Sequence, residues 1–211
     1  RDIKTAVIPA SIKRISSFSF CWCKSLQTVK FEENSQLQII DTEAFSYSNI
    51  QKIFIPSTVK IINDKAFFKS LNLRSIVIPE DSQLVSIGSN AFTYTSIESL
   101  FIPPFLEEMN SGWCSYTPKL TNISVSPDNK KFKYIDDQLL VYKNDDNEEE
   151  YGELILARRD IKEFTLPNFI KRMKSYSLCE CKILQQINIK EESQLEIIEE
   201  GSIAKTSLRE L

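Results

Sequence analysis

The sequence predicts a solenoid that is mainly β with short helical turns: a right-handed, curved stack of about nine parallel-strand coils with one β-hairpin insertion. Three observations predict it. A six-residue apolar unit recurs every 23 or 24 residues, a second apolar pair follows most units, and one interval alone is 41 residues long. A repeat of 23 or 24 residues is too short to bury a hydrophobic core by itself, and it forms a core by stacking against its neighbours. We therefore expect residues 1–211 to form a single repeat domain.

The six-residue unit has apolar residues at its positions 1, 4 and 6, as in Ile50, Ile53 and Ile55. Positions 4 and 6 follow the period of a strand and point to one side, so parallel stacking creates a continuous apolar ladder. Proline often follows position 6, where it ends the strand and lacks an N–H. The copies begin at Ile3, Leu26, Ile50, Leu73, Ile97, Leu120, Ile161, Leu184 and Leu208.

The second element is a pair of apolar residues three positions apart, such as Val59 and Ile62. A small residue and then a large apolar one follow it, as in Ala66-Phe67. We expect this turn to begin a short helical segment, with the small residue where coils crowd together and the large one filling the core. The copies begin at Ile12, Leu37, Val59, Leu84, Leu106, Ile170 and Leu195.

The long interval places an insertion at residues 127–160. Two apolar runs, 139–143 and 154–158, flank an acidic tip at 144–152, and this order is typical of a β-hairpin within one coil. Alternate oxygen-bearing residues at the tip resemble the start of a calcium-binding loop, but Glu150 stands where such a loop needs glycine. A solvated charge run is the favoured interpretation, and no metal site is predicted.

Composition excludes several function classes. The net charge of −3 argues against nucleic acid as a partner, and no apolar run is long enough to cross a membrane. The chain has no histidine, no glycine-rich phosphate loop and no Gly-x-Ser-x-Gly motif. A cysteine nucleophile would lack a histidine partner. We predict a protein that is not an enzyme and has no cofactor.

Four of the five cysteines form two Cys-x-Cys pairs, Cys21/Cys23 and Cys179/Cys181, and Cys114 stands alone. An odd number at low density is not a disulfide framework, and zinc sites need a wider spacing with further ligands. A small buried residue is the favoured interpretation, with disulfides and metal binding as alternatives.

The run from Ile53 to Phe67 resembles the BspA-like, Treponema-type leucine-rich repeat, and seven copies of the second element align with it. The resemblance implies surface proteins of bacteria and some parasitic protists, with roles in adhesion. It also implies a small residue, often cysteine, three positions after the turn phenylalanine, which Cys23 and Cys181 match. A glycine usually follows the second element. Here only Gly88 does, and Asp41, Asn63 and Asn110 replace it in other coils with side chains that tolerate left-handed backbone.

Ligands of a solenoid usually contact the exposed positions 3 and 5 of its parallel strands. Position 5 is unusually apolar in the first half, where Phe54, Val77 and Phe101 are expected to form one stripe, because neighbouring strands lie about 4.8 Å apart. Strand propensity alone is the alternative explanation. The candidate protein-binding residues on the concave face are Lys30, Lys52, Phe54, Val77, Ser99 and Phe101.

The expected partner is a protein ligand of unknown identity, bound on the concave face or loops. Both ends of the sequence fall within a repeat, so we expect a fragment of a longer protein, and end-to-end self-association of the isolated chain. A cell-surface or secreted location follows from the resemblance. An intracellular scaffold or a structural spacer are the alternatives.

Overall fold

A computed structural model describes residues 2–143 and 151–210, and eighteen strands lie within them. In chain order they are β1 (Thr5–Ile8), β2 (Arg14–Ile15), β3 (Thr28–Phe31), β4 (Ile39–Ile40), β5 (Lys52–Phe54), β6 (Ile61–Ile62), β7 (Ser75–Val77), β8 (Ser86–Ile87), β9 (Ser99–Ile102), β10 (Glu108–Met109), β11 (Asn122–Val125), β12 (Phe132–Ile135), β13 (Leu139–Tyr142), β14 (Glu153–Ala157), β15 (Glu163–Thr165), β16 (Arg172–Met173), β17 (Gln186–Asn188) and β18 (Ile197–Ile198).

The strands form two columns along the solenoid: the first lies at the predicted six-residue units, and the second, which the sequence did not predict to be strand, lies at the apolar pairs. The first ladder contains the six-residue units, in the parallel sheets β1-β3-β5-β7, β9-β11 and β15-β17. The second ladder contains the paired apolar residues, in β2-β4-β6-β8-β10 and then β14-β16-β18. Eight coils therefore contribute a strand to the first ladder, and the ninth copy, from Leu208, has no strand within the described residues.

The third side of each coil is a turn rather than the expected short helix, and no helix occurs within residues 2–143 or 151–210. Left-handed residues recur four positions apart in each turn, as at Glu43 (φ 53°) and Tyr47 (φ 55°). Each one breaks a right-handed helical path before a second turn can form. The freed N–H groups bond the next coil instead: Phe45 N donates to Ala66 O at 2.8 Å. We call this side the turn column.

The core contains a stack of phenylalanine rings beneath the turn column. Phe45, Phe67 and Phe92 are fully buried, and a partly exposed Phe20 continues the stack at its N-terminal end. Successive ring centroids lie 5.1, 5.3 and 5.4 Å apart with nearly parallel planes. The predicted role of the turn phenylalanine, filling the core between coils, is confirmed.

The position three residues after each of these rings is small and buried, as predicted. Ser48 Oγ lies 3.1 Å from Ser70 Oγ, and Ser70 Oγ donates to Phe45 O at 2.8 Å. Both hydroxyls are thus satisfied within the core, which removes the cost of burying them. The buried members of this column are Cys23, Ser48, Ser70, Thr95, Thr117 and Cys181.

The glycine position after the second element does not require left-handed backbone, so that explanation for its replacement by aspartate or asparagine is wrong. Asp41, Asn63 and Asn110 are not in the left-handed region, which is instead occupied two positions later in each turn. Gly88 is required for space, because a Cβ there would lie 2.4 Å from Asp64 N. Asp41 instead uses the slot for a bond between coils, accepting from Asn63 Nδ2 at 2.9 Å.

The insertion contains the antiparallel pair β13–β14, at the two predicted apolar runs. Sequence reasoning missed β12, which pairs antiparallel with β13 and makes the unit three-stranded. β14 then pairs in parallel with β16 and so joins the second ladder. The interruption is thereby absorbed within one coil. Most of the acidic tip, including Asp145, Asn147 and Glu149, lies outside the described residues.

Candidate ligand-binding face

The predicted site residues lie on the solvent side of the first ladder. Lys52 is in register with Ser75, and Phe54 with Val77, across β5 and β7. Phe54 is 49% exposed, which is high for a phenylalanine in a strand. Val77 and Phe101 are half-buried, and Phe101 packs against the core cluster. Phe54 is therefore the most accessible apolar side chain of the predicted stripe.

The stripe is not one regular sheet, because β7 and β9 belong to separate hydrogen-bonded sheets. The two coils are still joined before these strands begin, where Glu98 N donates to Arg74 O at 3.1 Å. Only two of the six predicted residues, Lys30 and Phe54, line a common recess; the other four lie on the ladder beside it: Lys52, Val77, Ser99 and Phe101.

This recess opens where β3 and β5 separate. β1 and β3 pair over four residues, whereas β3 and β5 pair only at Thr28 and Lys52. Glu32 N donates to Ile8 O at 3.1 Å and so extends the first of these pairings beyond the strands. Pro56 occupies the corresponding position one coil later and has no N–H to donate. The exits of β3 and β5 therefore lack the hydrogen bond that joins the exits of β1 and β3.

We call the resulting recess, with a volume of about 790 Å³, the exit groove. Its apolar residues come from three successive coils and include Phe31, Phe54, Pro56 and Pro79. Acidic and neutral polar side chains line the rest of it, with Lys30 as the one cation among its lining residues. The full lining is Val29, Lys30, Phe31, Glu32, Glu33, Asn34, Ser35, Phe54, Pro56, Ser57, Thr58, Pro79 and Asp81.

Sequence reasoning missed the acidic part of the groove because it treated acidic residues that recur with the repeat as turn residues. Their recurrence does follow the repeat, since Glu191-Glu192 lies only one position further along its coil than Glu32-Glu33. One sequence feature could have indicated the groove. The residue directly after the six-residue unit is Glu32 in one coil and Pro56 in the next. That difference removes one hydrogen bond between coils.

A second, smaller recess of about 500 Å³ lies between the insertion and the exit of β15. Ile135, Val141 and Phe169 supply apolar lining, and Tyr151 closes one side. The ammonium groups of Lys133 and Lys143 lie 5.9 and 5.7 Å from the Tyr151 ring centroid. The insertion thus builds a recess at the same edge of the first ladder.

The turn column carries a surface row of aromatic side chains. Trp22 stacks on Tyr47 with ring centroids 4.0 Å apart, and Tyr94 stacks on Tyr116 at 4.5 Å. Between these pairs the Lys69 ammonium lies 5.4–5.5 Å from the rings of Tyr47, Phe68 and Tyr94. Because most ring faces already contact a neighbouring coil, this row stabilises the stack more than it offers faces to a ligand.

Four of the five cysteines are buried, and Cys21 is half-buried. All five are free, and burial raises the pKa of Cys114 to about 12 against the opposing effect of the Arg159 guanidinium. Burial likewise raises the pKa of Cys179 and Cys181. A thiol is a weak nucleophile and metal ligand unless it ionises. Within the described ranges there is no group of three or more cysteine, aspartate or glutamate residues that could hold a metal ion.

Arg159 fills the space left where the insertion coil has no turn of its own. Its side chain is buried, and Nη1 donates to Ser177 O at 2.9 Å. The same guanidinium lies 3.7 Å from Cys181 Sγ and 3.9 Å from Cys114 Sγ. These contacts join the turns on the two sides of the insertion, which supports a structural role.

In the part of the chain that the structure describes, no helix is long and apolar enough to span a bilayer.

The fold is similar to several solved bacterial proteins. The pneumococcal vaccine antigen PcpA shares 27% identity with a TM-score of 0.83, over 92% of this chain and 47% of that protein. A leucine-rich cell surface protein of Faecalibacterium prausnitzii shares 20% identity with a TM-score of 0.70, over 93% and 60%. The Treponema pallidum leucine-rich repeat protein shares 19% identity with a TM-score of 0.55, over 88% and 69%.

This chain spans about half the length of PcpA (47%). No protein of curated function matches it in sequence. Its sequence matches the BspA-type leucine-rich repeat region in six copies, over residues 1–121 and 140–211. The match covers both ladders except β11, and leaves out residues 122–139, where the insertion begins. The chain belongs to the BspA-type leucine-rich repeat family.

Proposed function

We propose that the chain is a non-catalytic protein-binding module of a cell-surface protein, with a role in adhesion to host cells or to matrix. The observation that carries the proposal is the 49% exposure of Phe54 on the first ladder, where it forms part of the exit groove. Exposed apolar surface bordered by polar groups is typical of interaction sites, and aromatic side chains often dominate their energetics.

The surface location is supported by the relatives. One similar protein is a vaccine antigen, and another is described as a cell surface protein. These descriptions belong to those proteins, and we extend them to this chain as part of the proposal. The proposed ligand site comprises Lys30, Lys52, Phe54, Val77, Ser99 and Phe101.

A non-catalytic role agrees with the chemistry of the described side chains. The chain has no histidine, and burial keeps the thiols of Cys114, Cys179 and Cys181 protonated at neutral pH. Lys174 and Arg172, the cations beside Glu199, are held in ion pairs on the second ladder. Binding through surface contacts, rather than catalysis, is therefore the role that we propose.

The test measures binding of the purified chain to epithelial cells and to a panel of immobilised matrix proteins. Phe54→Glu and the double variant Phe54→Glu/Phe101→Glu are compared with Phe105→Glu, because Phe105 is 60% exposed but lies outside the site. Phe101 packs against the core, so circular dichroism must show that each variant keeps its fold.

We expect saturable binding that both Phe54 variants lose and Phe105→Glu retains. Unchanged binding by Phe54→Glu would remove the first ladder as the site. Absence of binding by the unchanged chain to every surface tested would contradict the adhesive role and favour a scaffold or spacer.

A further inference from the structure

We propose that the exit groove binds an extended, basic segment of a partner polypeptide. One apolar side chain of that segment rests on Phe54 and Pro56, and flanking lysine or arginine side chains face Glu33 and Asp81. The inference rests on the proposed protein-binding function and adds the chemical class of the partner.

The shape of the groove favours an extended chain. Its apolar residues come from the exits of three successive coils, at Phe31, Phe54 and Pro79. Neighbouring coils are about 4.8 Å apart, so the floor runs about 10 Å across the strands. Three residues of extended polypeptide cover that distance at about 3.3 Å each. One apolar residue and its two neighbours therefore match the length of the floor.

The charges of the groove favour a basic segment. Three carboxylates line it, on Glu32, Glu33 and Asp81, against the single ammonium of Lys30. The Glu32 carboxylate already accepts a hydrogen bond from Ala10 N at 3.0 Å. Glu33 and Asp81 are exposed and take part in none of the ion pairs among the described residues. Their charge is thus available to a ligand, and salt should screen the attraction.

The divergence of β3 and β5 explains why this position is open. Pro56 has no N–H to donate to the coil before it, and the N–H of Ile55 points the other way, donating to Val77 O of the next coil at 2.8 Å. The carbonyl at the end of β1 accepts a hydrogen bond from Glu32 N, and the carbonyl at the end of β3 has no equivalent donor at Pro56. A groove of this kind presents apolar proline and phenylalanine surfaces, which suit an extended segment.

The test uses three fluorescently labelled heptapeptides as probes. The basic probe is Gly-Lys-Lys-Phe-Lys-Lys-Gly; the second replaces its lysines with glutamate, and the third replaces its phenylalanine with serine. Anisotropy titrations at low and high salt compare the unchanged chain with Phe54→Ser and with Glu33→Lys/Asp81→Lys. The matched control is Glu191→Lys/Glu192→Lys, which makes the same charge change at exposed acidic residues of a distant coil.

We expect the basic probe to bind saturably, and both other probes to bind at least about tenfold more weakly. Phe54→Ser and Glu33→Lys/Asp81→Lys should each weaken the basic probe at least about tenfold, and the distant control by less than about twofold. Equal binding of the acidic probe, no binding of the basic probe, or equal weakening by the distant control would each overturn the proposal.

The two proposals fail separately. Cell or matrix binding that depends on Phe54, without binding of the basic probe, overturns the basic segment as the partner and leaves the adhesive module intact. Binding of the basic probe in the groove, without cell or matrix binding, supports the groove chemistry and overturns the adhesive role.

Discussion

The stacked phenylalanines give a direct test of how the coils are held together, and Phe67→Ala is the most informative change. Phe67 is fully buried, with Phe45 at 5.3 Å on one side and Phe92 at 5.4 Å on the other. Both neighbouring planes lie within 14° of parallel. The substitution removes one ring from the middle of the stack and leaves a cavity shared by three coils.

The expected loss is about 4 kcal/mol of unfolding free energy, within the 3–5 kcal/mol measured for buried phenylalanine truncations. That figure already contains the two ring contacts, which are worth about 0.5–1.5 kcal/mol each beyond burial. Stacked coils depend on their nearest neighbours, so the loss should be concentrated at the coils of Phe45, Phe67 and Phe92.

The assay is urea denaturation followed by circular dichroism, with hydrogen exchange at the Phe45 and Phe67 amides as a local measure. These amides donate to Ala66 O and Ala91 O, both at 2.8 Å, and so report separation of adjacent coils. Phe20→Ala is the matched control, because Phe20 is partly exposed and stacks on one ring only, and we expect it to cost about half as much. A loss at Phe67 below about 2 kcal/mol, or no larger than at Phe20, would refute the stack as the main link between these coils.

Two further predictions concern the second ladder. Burial alone would raise the pKa of Glu199, but bonds from the Ser175 hydroxyl and N–H, together with nearby cations, lower it to about 2. Because the folded pKa lies below the unfolded value of 4.5, the ionised carboxylate stabilises the fold above about pH 4.5. Up to about 3 kcal/mol of unfolding free energy is lost as the pH falls towards 2. Urea titrations from pH 6 to 2 should show this loss, and Glu199→Gln should remove most of it; an unchanged pH profile would contradict the assignment. Gly88→Ala should cost about 2 kcal/mol or more, because the added Cβ would lie 2.4 Å from the backbone N of Asp64. Gly152→Ala, where the nearest atom is 3.8 Å away, should change the melting temperature little, and equal effects at the two glycines would refute the close-approach argument.

The candidate site was only partly predictable. Strand alternation predicted that Lys30 and Phe54 face solvent, and both do. It could not predict that they share a recess with Glu33 and Asp81, because that recess depends on how far β3 and β5 separate. Nor could it predict that Phe101 packs against the core. Strand alternation gives the side of the sheet on which a side chain lies, but not which residues it contacts there.

The sequence alone determined the coil period, the first ladder and the buried residues of both repeated elements. Period-2 alternation within each unit and a fixed spacing between units are local patterns, and they decide which side chains face the core. The burial of Ile53 and Ile62, from the two elements of one coil, follows directly from them.

Only the tertiary structure decided the features that depend on contacts between coils. Turn residues such as Glu43 and Tyr47 adopt left-handed backbone in which their own N–H groups bond the next coil, and the preferences of glutamate and tyrosine do not predict this conformation. The exit groove likewise depends on how β3 and β5 pair across two coils, which the sequence of a single coil does not specify. Hydrogen bonds between stacked coils pair residues more than twenty positions apart, so local sequence patterns do not reveal them.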